Sequence, residues 1–481
     1  MYCSRLSLFG VGVVALREEA DCRVIERDVC GIVLESIRSA GLWRMPGEHA
    51  DSARIHRISP QPFLLSSEHI EALHRLGDAL LAFYGAVNEL YLRGRHDWVN
   101  DYLDIGKPEE LIRHARMKYH RHALPAIIRP DILVTDDGFV ITELDSVPGG
   151  FGHLDCLSAA YEKAGYEIVG GGRGIRDRFA ETLRQAQDAQ AAAAIVVSDE
   201  SADYLPEMKY LAGELRAVGV NAHAVHPREV LFTEEGLFIE PEGQRLRINV
   251  LYRFFELFDL LNIPKAELIA YAARKRFVTV TPPYKPFLEE KMLLALVHHS
   301  ALIDYWREAL GEERFALLKS TIAQTCVMDN RPVPPHARID GFEWRGGPVR
   351  DWRVIREGTQ KERRFVLKPS GFSPLAWGSR GVKVGQDMSG SDWAAAVDEA
   401  LANFDKTPYV IQPFRDTSLI GVKYDEAGEI RTMQARVRLC PYYFVIDGRA
   451  ELGGVLATAC PKDKKLIHGM ADAVMAPCRE G

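Results

Sequence analysis

No stretch of this chain holds the roughly 20 consecutive apolar residues that a membrane-spanning helix needs. The nearest approach is LSLFGVGVVAL, residues 6–16. It follows a single Arg5, as a signal peptide would, but it leads into REEAD without a clear small-residue cleavage site. We therefore expect a cytoplasmic protein with no membrane partner, and keep a secreted protein as the second interpretation.

Cysteine motifs and basic blocks are missing too. The eight cysteines form no CxxC pair and no Cys/His zinc spacing, a distribution typical of scattered reduced thiols. The formal net charge is −7, and no long run of Lys or Arg occurs. Nucleic acid is therefore not an expected partner.

The organisation along the chain predicts a mixed α+β fold. A length of 481 residues is too great for one compact core, so two or three domains are expected. Apolar residues at helical spacing predict helices within 67–122, and strands follow within 126–145. Residues 193–226 show the order strand, helix, strand, which is typical of parallel strands. Residues 285–481 alternate between helices and strands, with a hairpin turning at Asp447-Gly448.

Charged residues interrupt a stretch that otherwise looks buried, RPDILVTDDGFVITELDSVPGG at 129–150. A two-residue turn would place Asp131 and Glu143 on opposite faces of a hairpin. A three-residue turn, Asp136-Asp137-Gly138, has glycine where a left-handed residue is preferred, and it pairs Asp131 with Glu143. Directly opposite side chains share a face, so this register collects one set of residues on one side. The set is Arg129, Asp131, Glu143 and Asp145, with Leu133 and Ile141 nearer the turn.

Three carboxylates on one face predict a metal site. Asp131, Glu143 and Asp145 would repel one another, and a hard divalent cation such as Mg²⁺ removes that repulsion with the oxygen ligands it prefers. Arg129 beside them has the geometry to hold a phosphate through two hydrogen bonds. On these residues alone, an exposed ladder of salt bridges is an equally open interpretation.

A glycine- and serine-rich segment in the C-terminal half predicts a phosphate-binding loop. KPSGFSPLAWGSRG, residues 368–381, follows an apolar run, and such a loop brings backbone N–H groups close to phosphate oxygens. It matches neither a Walker A loop nor GxGxxG, and a surface hairpin with a glycine-rich tip fits the same segment. The candidate residues are Lys368, Gly371, Ser373, Gly378 and Gly381.

Other candidates are more isolated. Lys291 opens an apolar helix in EEKMLLALV, where a lysine commonly just reaches solvent. Gln412-Pro413-Phe414 ends the strand VIQPF, and its backbone has the geometry to edge an adenine ring. Arg253 and the basic run at 113–121 are weaker candidates for contact with a carboxylate substrate, and a solvated helix face is the alternative for the run.

Together these segments resemble the glutathionylspermidine synthase family, whose synthetase domain is a circularly permuted ATP-grasp. The motif that carries the resemblance is Arg129-Pro130-Asp131 followed, at the family's spacing, by Glu143-Leu144-Asp145. Lys291, Lys368 and Gln412 follow in the family's order, and a late strand carries Gly453-Gly454. The similarity runs from about residue 125 to 481, without the amidase half that some members carry.

Two positions depart from the family pattern. Asp145 stands where members usually have Asn, which keeps an oxygen ligand and adds a negative charge. Leu456-Ala457-Thr458 stands where an Arg generally follows the Gly-Gly pair. Arg436 or Arg438 on the preceding strand is the expected substitute for that Arg.

The resemblance implies a division of the chain into four segments. They are a mainly helical N-terminal region at 1–125, the metal-ligand hairpin and following helix at 126–190, a small Rossmann-like α/β domain at 191–265, and the nucleotide-binding part of the ATP-grasp at 266–481.

The resemblance also implies an ATP- and Mg²⁺-dependent ligase that joins a small-molecule carboxylate to an amine through an acylphosphate. Asp131, Glu143 and Asp145 would be the metal ligands and Arg129 the catalytic residue. The implied nucleotide contacts are Lys291, Lys368, Gly371, Ser373, Gly378, Gly381, Gln412, Pro413, Phe414 and Arg438. The alternatives are a phosphotransferase or a ligase for peptide or protein tails, and a catalytically silent ATP-binding protein. The sequence does not predict an oligomeric state.

Overall fold

The computed structural model describes residues 26–42, 56–145, 147–186, 191–334 and 337–481. Helices and strands are mixed along the chain, which confirms the α+β class. The stretch 6–16, considered above as a signal segment, lies outside the described residues. None of the described helices combines the length and the hydropathy that crossing a bilayer requires.

The helices and strands have the following bounds. The α-helices of the described residues are α1 (26–39), α2 (Ser67–Arg93), α3 (Asp97–Asp104), α4 (Glu109–Ala115), α5 (Phe151–Lys163), α6 (Gly174–Arg184), α7 (Leu205–Ala217), α8 (Ala266–Arg274), α9 (Met292–His298), α10 (Ile303–Leu310), α11 (Glu312–Thr321) and α12 (Gly390–Ala402). The strands are β1 (Phe63–Leu65), β2 (Ile127–Thr135), β3 (Gly138–Asp145), β4 (Ala192–Val197), β5 (Ala222–Val225), β6 (Leu231–Thr233), β7 (Gly236–Ile239), β8 (Leu246–Phe254), β9 (Thr279–Thr281), β10 (Cys326–Val327), β11 (Glu343–Trp344), β12 (Gly347–Pro348), β13 (Phe365–Pro369), β14 (Lys383–Val384), β15 (Tyr409–Pro413), β16 (Leu419–Glu426), β17 (Glu429–Ile446), β18 (Arg449–Pro461) and β19 (Val474–Glu480).

The largest sheet has seven strands in the order β1-β19-β18-β17-β2-β3, with β16 added along β17. The hairpin predicted at Asp447-Gly448 joins β17 to β18, and both turn residues have positive φ angles, 47° and 75°. Helix α2 packs on this sheet, where the Tyr443 hydroxyl donates to the Leu73 carbonyl at 2.7 Å. Gly77 of α2 has no room for a side chain, since a Cβ there would lie 2.6 Å from the Tyr443 ring.

A six-stranded sheet, β5-β4-β8-β7-β6 with β9 beside β8, occupies the middle of the chain. Strands β4 and β5 are parallel, as their predicted strand-helix-strand order requires, and β8 and β9 extend the parallel part. Strands β7 and β6 are antiparallel and make the sheet mixed. The four-segment division of the chain remains a prediction.

The smaller four-stranded sheet, β10-β15-β13-β14, carries the glycine-rich segment between β13 and β14. These two strands pair antiparallel, so the predicted strand, loop and strand are confirmed. Helix α12 shares a hydrophobic core with the sheet, with Trp393 and Val397 in one cluster with Leu367 and Ile411. The indole of the buried Trp393 also donates to the Ile355 carbonyl at 2.8 Å.

Candidate functional site

The β2–β3 hairpin has the predicted register at its charged end and a different turn. Thr135 pairs with Gly138 across a two-residue turn, so the predicted three-residue turn is wrong. An irregularity between Asp131 and Ile132 shifts the register by one residue, leaves Thr142 as the extra residue, and brings Asp131 opposite Glu143.

The same shift decides which residues lie beside the charged set. Arg129 lies opposite Asp145, as predicted. Ile141 pairs with Ile132, and both are fully buried, so the expectation that Ile141 shares a face with the acids is wrong. The apolar end of the hairpin is therefore packed into the core, and the charged end faces a cavity.

The face of the seven-stranded sheet forms the floor of this cavity, which measures about 700 Å³. On β17, Arg438 lies opposite Thr458 and Cys440 lies opposite Leu456, both of β18. Opposite residues share a face, and this face continues that of the charged hairpin. The floor residues that line the cavity are Arg129, Asp131, Arg438, Cys440, Tyr442, Leu456, Thr458 and Met475.

Arg129 is the centre of an ion-pair network on this floor. Its Nε lies 3.0 Å from Asp131 Oδ1 and its Nη2 lies 2.8 Å from Asp145 Oδ2. Arg438 Nη1 contacts the other oxygen of Asp131 at 2.8 Å. Burial raises the pKa of Asp131, but Arg129 and Arg438 outweigh burial and leave that pKa below its usual value. Asp131 is therefore held as a carboxylate between two guanidinium groups.

Asp145 is the less well compensated acid. Burial raises its pKa by more than Arg129 lowers it, and the charges of Asp131 and Glu143 raise it further. Unbalanced negative charge therefore remains at this end of the hairpin.

The Pro-Gly-Gly segment after β3 is a point of close backbone approach. The Gly149 carbonyl accepts from Arg129 Nη1 at 3.0 Å and from the Tyr442 hydroxyl at 2.8 Å. A Cβ on Gly149 would lie 2.1 Å from the Tyr204 ring, so only glycine fits there. The Gly150 N–H donates to Glu207 Oε1 at 2.7 Å, which ties the segment to helix α7.

The two predicted lysines reach the hairpin from different elements. Lys291, just before α9, lies 3.0 Å from Glu143 Oε1 and also donates to the Ala376 carbonyl at 2.9 Å. Burial lowers the pKa of Lys291, but Glu143 outweighs burial and the pKa is raised, so the lysine stays charged. Lys368 of β13 donates to the Thr142 carbonyl at 3.0 Å, and burial lowers its pKa.

Gln412 of β15 contacts Thr142, the extra residue of the hairpin, as Lys368 does. Its Nε2 donates to the Thr142 carbonyl at 3.3 Å and to Thr325 Oγ1 at 3.0 Å. Lys368 and Gln412 are both buried, and they meet Thr142 rather than the lining of the 700 Å³ cavity. The Phe414 N–H already donates to the Arg364 carbonyl at 2.8 Å, and neither Phe414 nor Pro413 lines the cavity.

The glycine-rich segment divides into cavity-lining and structural positions. Gly371 and Gly378 line the cavity, and a Cβ on Gly371 would lie 2.4 Å from the Glu290 carboxyl. Gly381 packs against Pro369, 2.4 Å from where its Cβ would lie, and does not line the cavity. The Ser373 hydroxyl accepts from the Leu375 N–H at 3.2 Å and caps a short turn rather than facing the cavity.

The opposite wall of the cavity comes from the six-stranded sheet and its connections. It combines acids with aromatic rings, and none of these residues was a candidate from the sequence. They are Asp203, Tyr204, Phe254, Glu256, Phe258, Glu289 and, from the glycine-rich segment, Trp377. Burial, together with the charges of Glu289 and Asp145, raises the pKa of Glu256 well above its usual value.

The weaker candidates lie elsewhere. Arg253 is fully buried, is ion-paired with Glu289 and donates to the Pro282 carbonyl at 3.3 Å, so its role is structural. No residue of the basic run at 113–121 lines the cavity. Arg436 donates to the Lys462 carbonyl at 2.9 Å and does not line the cavity, which leaves Arg438 as the arginine at the floor.

The predicted metal ligands are brought together only in part. Among the described residues, no three His, Cys, Asp or Glu side chains are assembled to hold a metal ion. Instead Asp131 and Asp145 contact Arg129, and Glu143 contacts Lys291. All three candidate ligands nonetheless offer oxygen atoms, and the charges of Asp131 and Glu143 still repel that of Asp145. A hard divalent cation fits this set once the ion pairs with Arg129 and Lys291 have rearranged.

The chain was compared with known proteins. No protein-family model and no curated protein matches it. It is similar to the solved structure of a glutathione synthetase-like effector from Globodera pallida in its apo form, with a TM-score of 0.55 and 12% sequence identity over 96% of this chain and 97% of that one. A proposed gamma-glutamylcysteine synthetase from Methylobacillus flagellatus is more distant, with a TM-score of 0.39 and 11% identity over 85% and 87% of the two chains, too far to support an inference. The first likeness shows that this chain has a glutathione synthetase-like fold.

Proposed function

We propose that this protein is an ATP- and Mg²⁺-dependent ligase that joins a small carboxylic acid to an amine, with a circularly permuted ATP-grasp architecture like that of glutathionylspermidine synthase. The observation that carries the proposal is the convergence of Arg129, Asp131, Glu143 and Lys291 on one cavity of about 700 Å³. These residues come from two separate segments of the chain, the β2–β3 hairpin and the residues just before α9. The glutathione synthetase-like fold supports a ligase reaction.

The residues that would hold the metal are Asp131, Glu143 and Asp145. Mg²⁺ bound there supplies positive charge beside a transferring phosphoryl group. Lys291 lines the cavity next to Glu143 and is placed to hold the nucleotide's phosphate tail. Lys368 does not line the cavity, and its ammonium group donates a hydrogen bond to the Thr142 carbonyl. It would contact a phosphate only after that hydrogen bond breaks.

Arg129 is the group we assign to the reacting centre. Only 13% of its side chain is exposed, and its guanidinium is held in place by two carboxylates and the Gly149 carbonyl. A cation in a poorly hydrated site stabilises developing negative charge strongly, and the Gly149 carbonyl still holds Arg129 when the two carboxylates turn to a metal. Arg129 would therefore stabilise the acylphosphate and the oxyanion that forms when the amine attacks.

The wall opposite the floor supports a positively charged amine as the acceptor. Asp203 and Glu256 place two carboxyl groups there, Glu289 beside them is ion-paired with Arg253, and aromatic rings stand among them. Carboxylates and aromatic faces together bind organic cations. An ionised carboxylate on this wall would also take the proton that the ammonium group must lose before its nitrogen attacks.

Water must be kept from an acylphosphate, and the glycine-rich segment closes over the cavity. The Trp377 ring centroid lies 6.4 Å from that of Tyr204, and Arg380 lies over the Trp377 ring at 4.9 Å. Arg380 is also ion-paired with Glu200. These contacts fasten the segment to the six-stranded sheet's side of the cavity.

The experiment that tests the proposal measures Mg²⁺-dependent release of ADP and phosphate from ATP. Small carboxylates, glutathione among them, are supplied with and without amines, spermidine among them. ADP release that requires both a carboxylate and an amine establishes a ligase. ADP formed without free phosphate, with a phosphorylated product, indicates a phosphotransferase. ATP binding without ADP release from any pair contradicts the ligase.

A further inference from the structure

Two polar atoms on the cavity floor are buried and, among the described residues, have no hydrogen-bond partner. They are Thr458 Oγ1 and Arg438 Nε. Thr458 is 0% exposed, yet it lines the cavity beside Arg438. Buried polar groups are nearly always bonded, so two adjacent unbonded donors indicate a missing acceptor.

The two side chains are fixed side by side by the sheet. Arg438 of β17 and Thr458 of β18 are directly opposite in the register, so their side chains stand on the same face. Arg438 is oriented further by its Nη1 contact to Asp131 at 2.8 Å. That contact occupies one end of the guanidinium, and Nε–H is left buried without a partner among the described residues.

Apolar side chains surround Arg438 and Thr458 and would strengthen a hydrogen bond from them to a ligand. Met475 of β19 lies opposite Thr458 on the other side of β18, and Leu456 is the next residue of β18 on the same face. Both line the cavity and present apolar atoms. A hydrogen bond to a charged acceptor gains strength where apolar groups keep water away.

We propose that Arg438 Nε–H and Thr458 Oγ1–H together form an oxyanion subsite on the cavity floor. Both groups donate, and one is positively charged, so the matching ligand is an anion with paired oxygens, a carboxylate or a phosphoryl group. The subsite itself follows from the structure. Which oxyanion it holds, the acid substrate or the terminal phosphate of the nucleotide, rests on the proposed function.

The test is equilibrium binding by calorimetry, with Mg²⁺ present and no turnover required. The probes are ADP, a non-hydrolysable ATP analogue and glutathione. Thr458→Val removes the donor at nearly constant volume, and Thr458→Ser is the matched control that keeps it. We expect Thr458→Val to weaken one probe about tenfold or more, and Thr458→Ser to stay within about twofold.

The pattern of losses identifies the oxyanion. A loss for the ATP analogue but not for ADP places the terminal phosphate at the subsite, and a loss for glutathione alone places a carboxylate there. Arg438→Lys keeps the charge but lacks Nε–H, so we expect the same loss. Because the two donors act on one group, the double variant should lose little more than either single variant.

The opposite result is equally clear. If Thr458→Val binds every probe that the wild-type protein binds with unchanged affinity, and is as stable or more stable to heat, the hydroxyl pairs only with water and the subsite is overturned. Failure of the proposed ligase function gives a different result from failure of the subsite. In that case ADP release is absent in the wild-type protein while a probe remains sensitive to Thr458→Val.

Discussion

Asp131 and Glu143 face each other across β2 and β3 because the hairpin carries one extra residue, Thr142, at its bulge. Without it, the two-residue turn would continue its own register and pair Asp131 with Thr142. The bulge has a second consequence, because the Thr142 carbonyl accepts from both Lys368 at 3.0 Å and Gln412 at 3.3 Å. One irregularity thus aligns the acids and ties the four-stranded sheet to them.

Glu143→Gln keeps the size of the side chain and removes one charge from the proposed metal site. We expect Mg²⁺-dependent ADP release to fall at least about 100-fold, since a metal's charge stabilisation is worth several kcal/mol. The variant should still fold, because a third of the Glu143 side chain is exposed (33%) and the glutamine amide oxygen can still accept from Lys291. The control is Glu343→Gln on β11, an exposed acid outside the cavity. Unchanged turnover in Glu143→Gln would refute the metal assignment.

Lys368→Met keeps the apolar stem of a buried lysine and removes its ammonium group. We expect the dissociation constant for ATP, measured by calorimetry, to rise about tenfold or more, because charge-assisted contacts to phosphate are among the stronger hydrogen bonds. Lys383→Met, on the neighbouring strand β14 and ion-paired only with Glu399 among the described residues, is the matched control. Equal ATP affinity in the two variants would mean that the phosphate-binding loop has been misplaced.

Much of the hairpin was predictable from the sequence. Alternation placed Arg129 and Asp131 on one face of β2, and the register opposite Glu143 and Asp145 is confirmed. The predicted cause of that register was wrong, because the sequence favoured a three-residue turn, whereas the turn has two residues and a bulge shifts the register. A bulge carries no local signal in the sequence, and burial of the Ile132–Ile141 pair is a tertiary effect.

The opposite wall and the part of the floor on β18 and β19 were not predictable. Tyr204, Glu256 and Trp377 meet at the cavity from three distant segments, and only packing brings them together. Near the end of β8 the sequence suggested Arg253 as a substrate contact, but Arg253 is buried and ion-paired with Glu289. Glu256, three residues later, is the residue that lines the cavity. Thr458 was noted only as part of the Leu456-Ala457-Thr458 stretch that replaces an Arg, and an isolated threonine in an apolar strand is usually a packed residue.

Trp377→Ala opens the proposed closure over the cavity. Water then reaches the acylphosphate, so we expect phosphate release to exceed amide formation several-fold, where the wild-type protein keeps the two equal. Measuring both products in one reaction gives the ratio. Trp377→Phe preserves a ring beside Tyr204 and is the control, expected to stay near one to one. A ratio of one in Trp377→Ala would show that the segment does not exclude water.

Asp145→Asn removes the less compensated charge of the hairpin. The folded protein holds the pKa of Asp145 above its usual value of 3.8, so the ionised form costs stability above that raised pKa, and the cost disappears as the pH falls through it. Without Mg²⁺ the variant should therefore melt about 1–3 °C higher than the wild-type protein at pH 8, and the difference should shrink toward pH 4.

Adding Mg²⁺ should reverse that order, because a divalent cation gains more from a carboxylate than from an amide oxygen. Thermal melts of both proteins at pH 8, with and without Mg²⁺, check this. A variant that melts lower than the wild-type protein in metal-free buffer would show that the Arg129–Asp145 contact outweighs the repulsion between the acids.

Lys107→Met tests what holds the base of the glycine-rich segment. Lys107 and Glu290 form an ion pair whose side chains are 0% and 1% exposed, and the Ser370 hydroxyl donates to the same carboxylate. Removing the lysine leaves Glu290 charged and unpaired in the interior, so we expect a loss of about 3–5 kcal/mol in the free energy of unfolding.

Two further variants separate the buried charge from other effects. Lys107→Met combined with Glu290→Gln removes both charges and should recover most of the lost stability, since the cost comes from the unpaired ion. Lys383→Met breaks a pair with Glu399 whose side chains are 27% and 44% exposed, so its cost should stay below about 1 kcal/mol. If Lys107→Met costs no more than Lys383→Met in denaturant unfolding, the buried pair does not anchor the segment. In that case the other contacts of the segment hold it instead, among them those of Trp377 and Arg380 and the Lys291 contact to the Ala376 carbonyl.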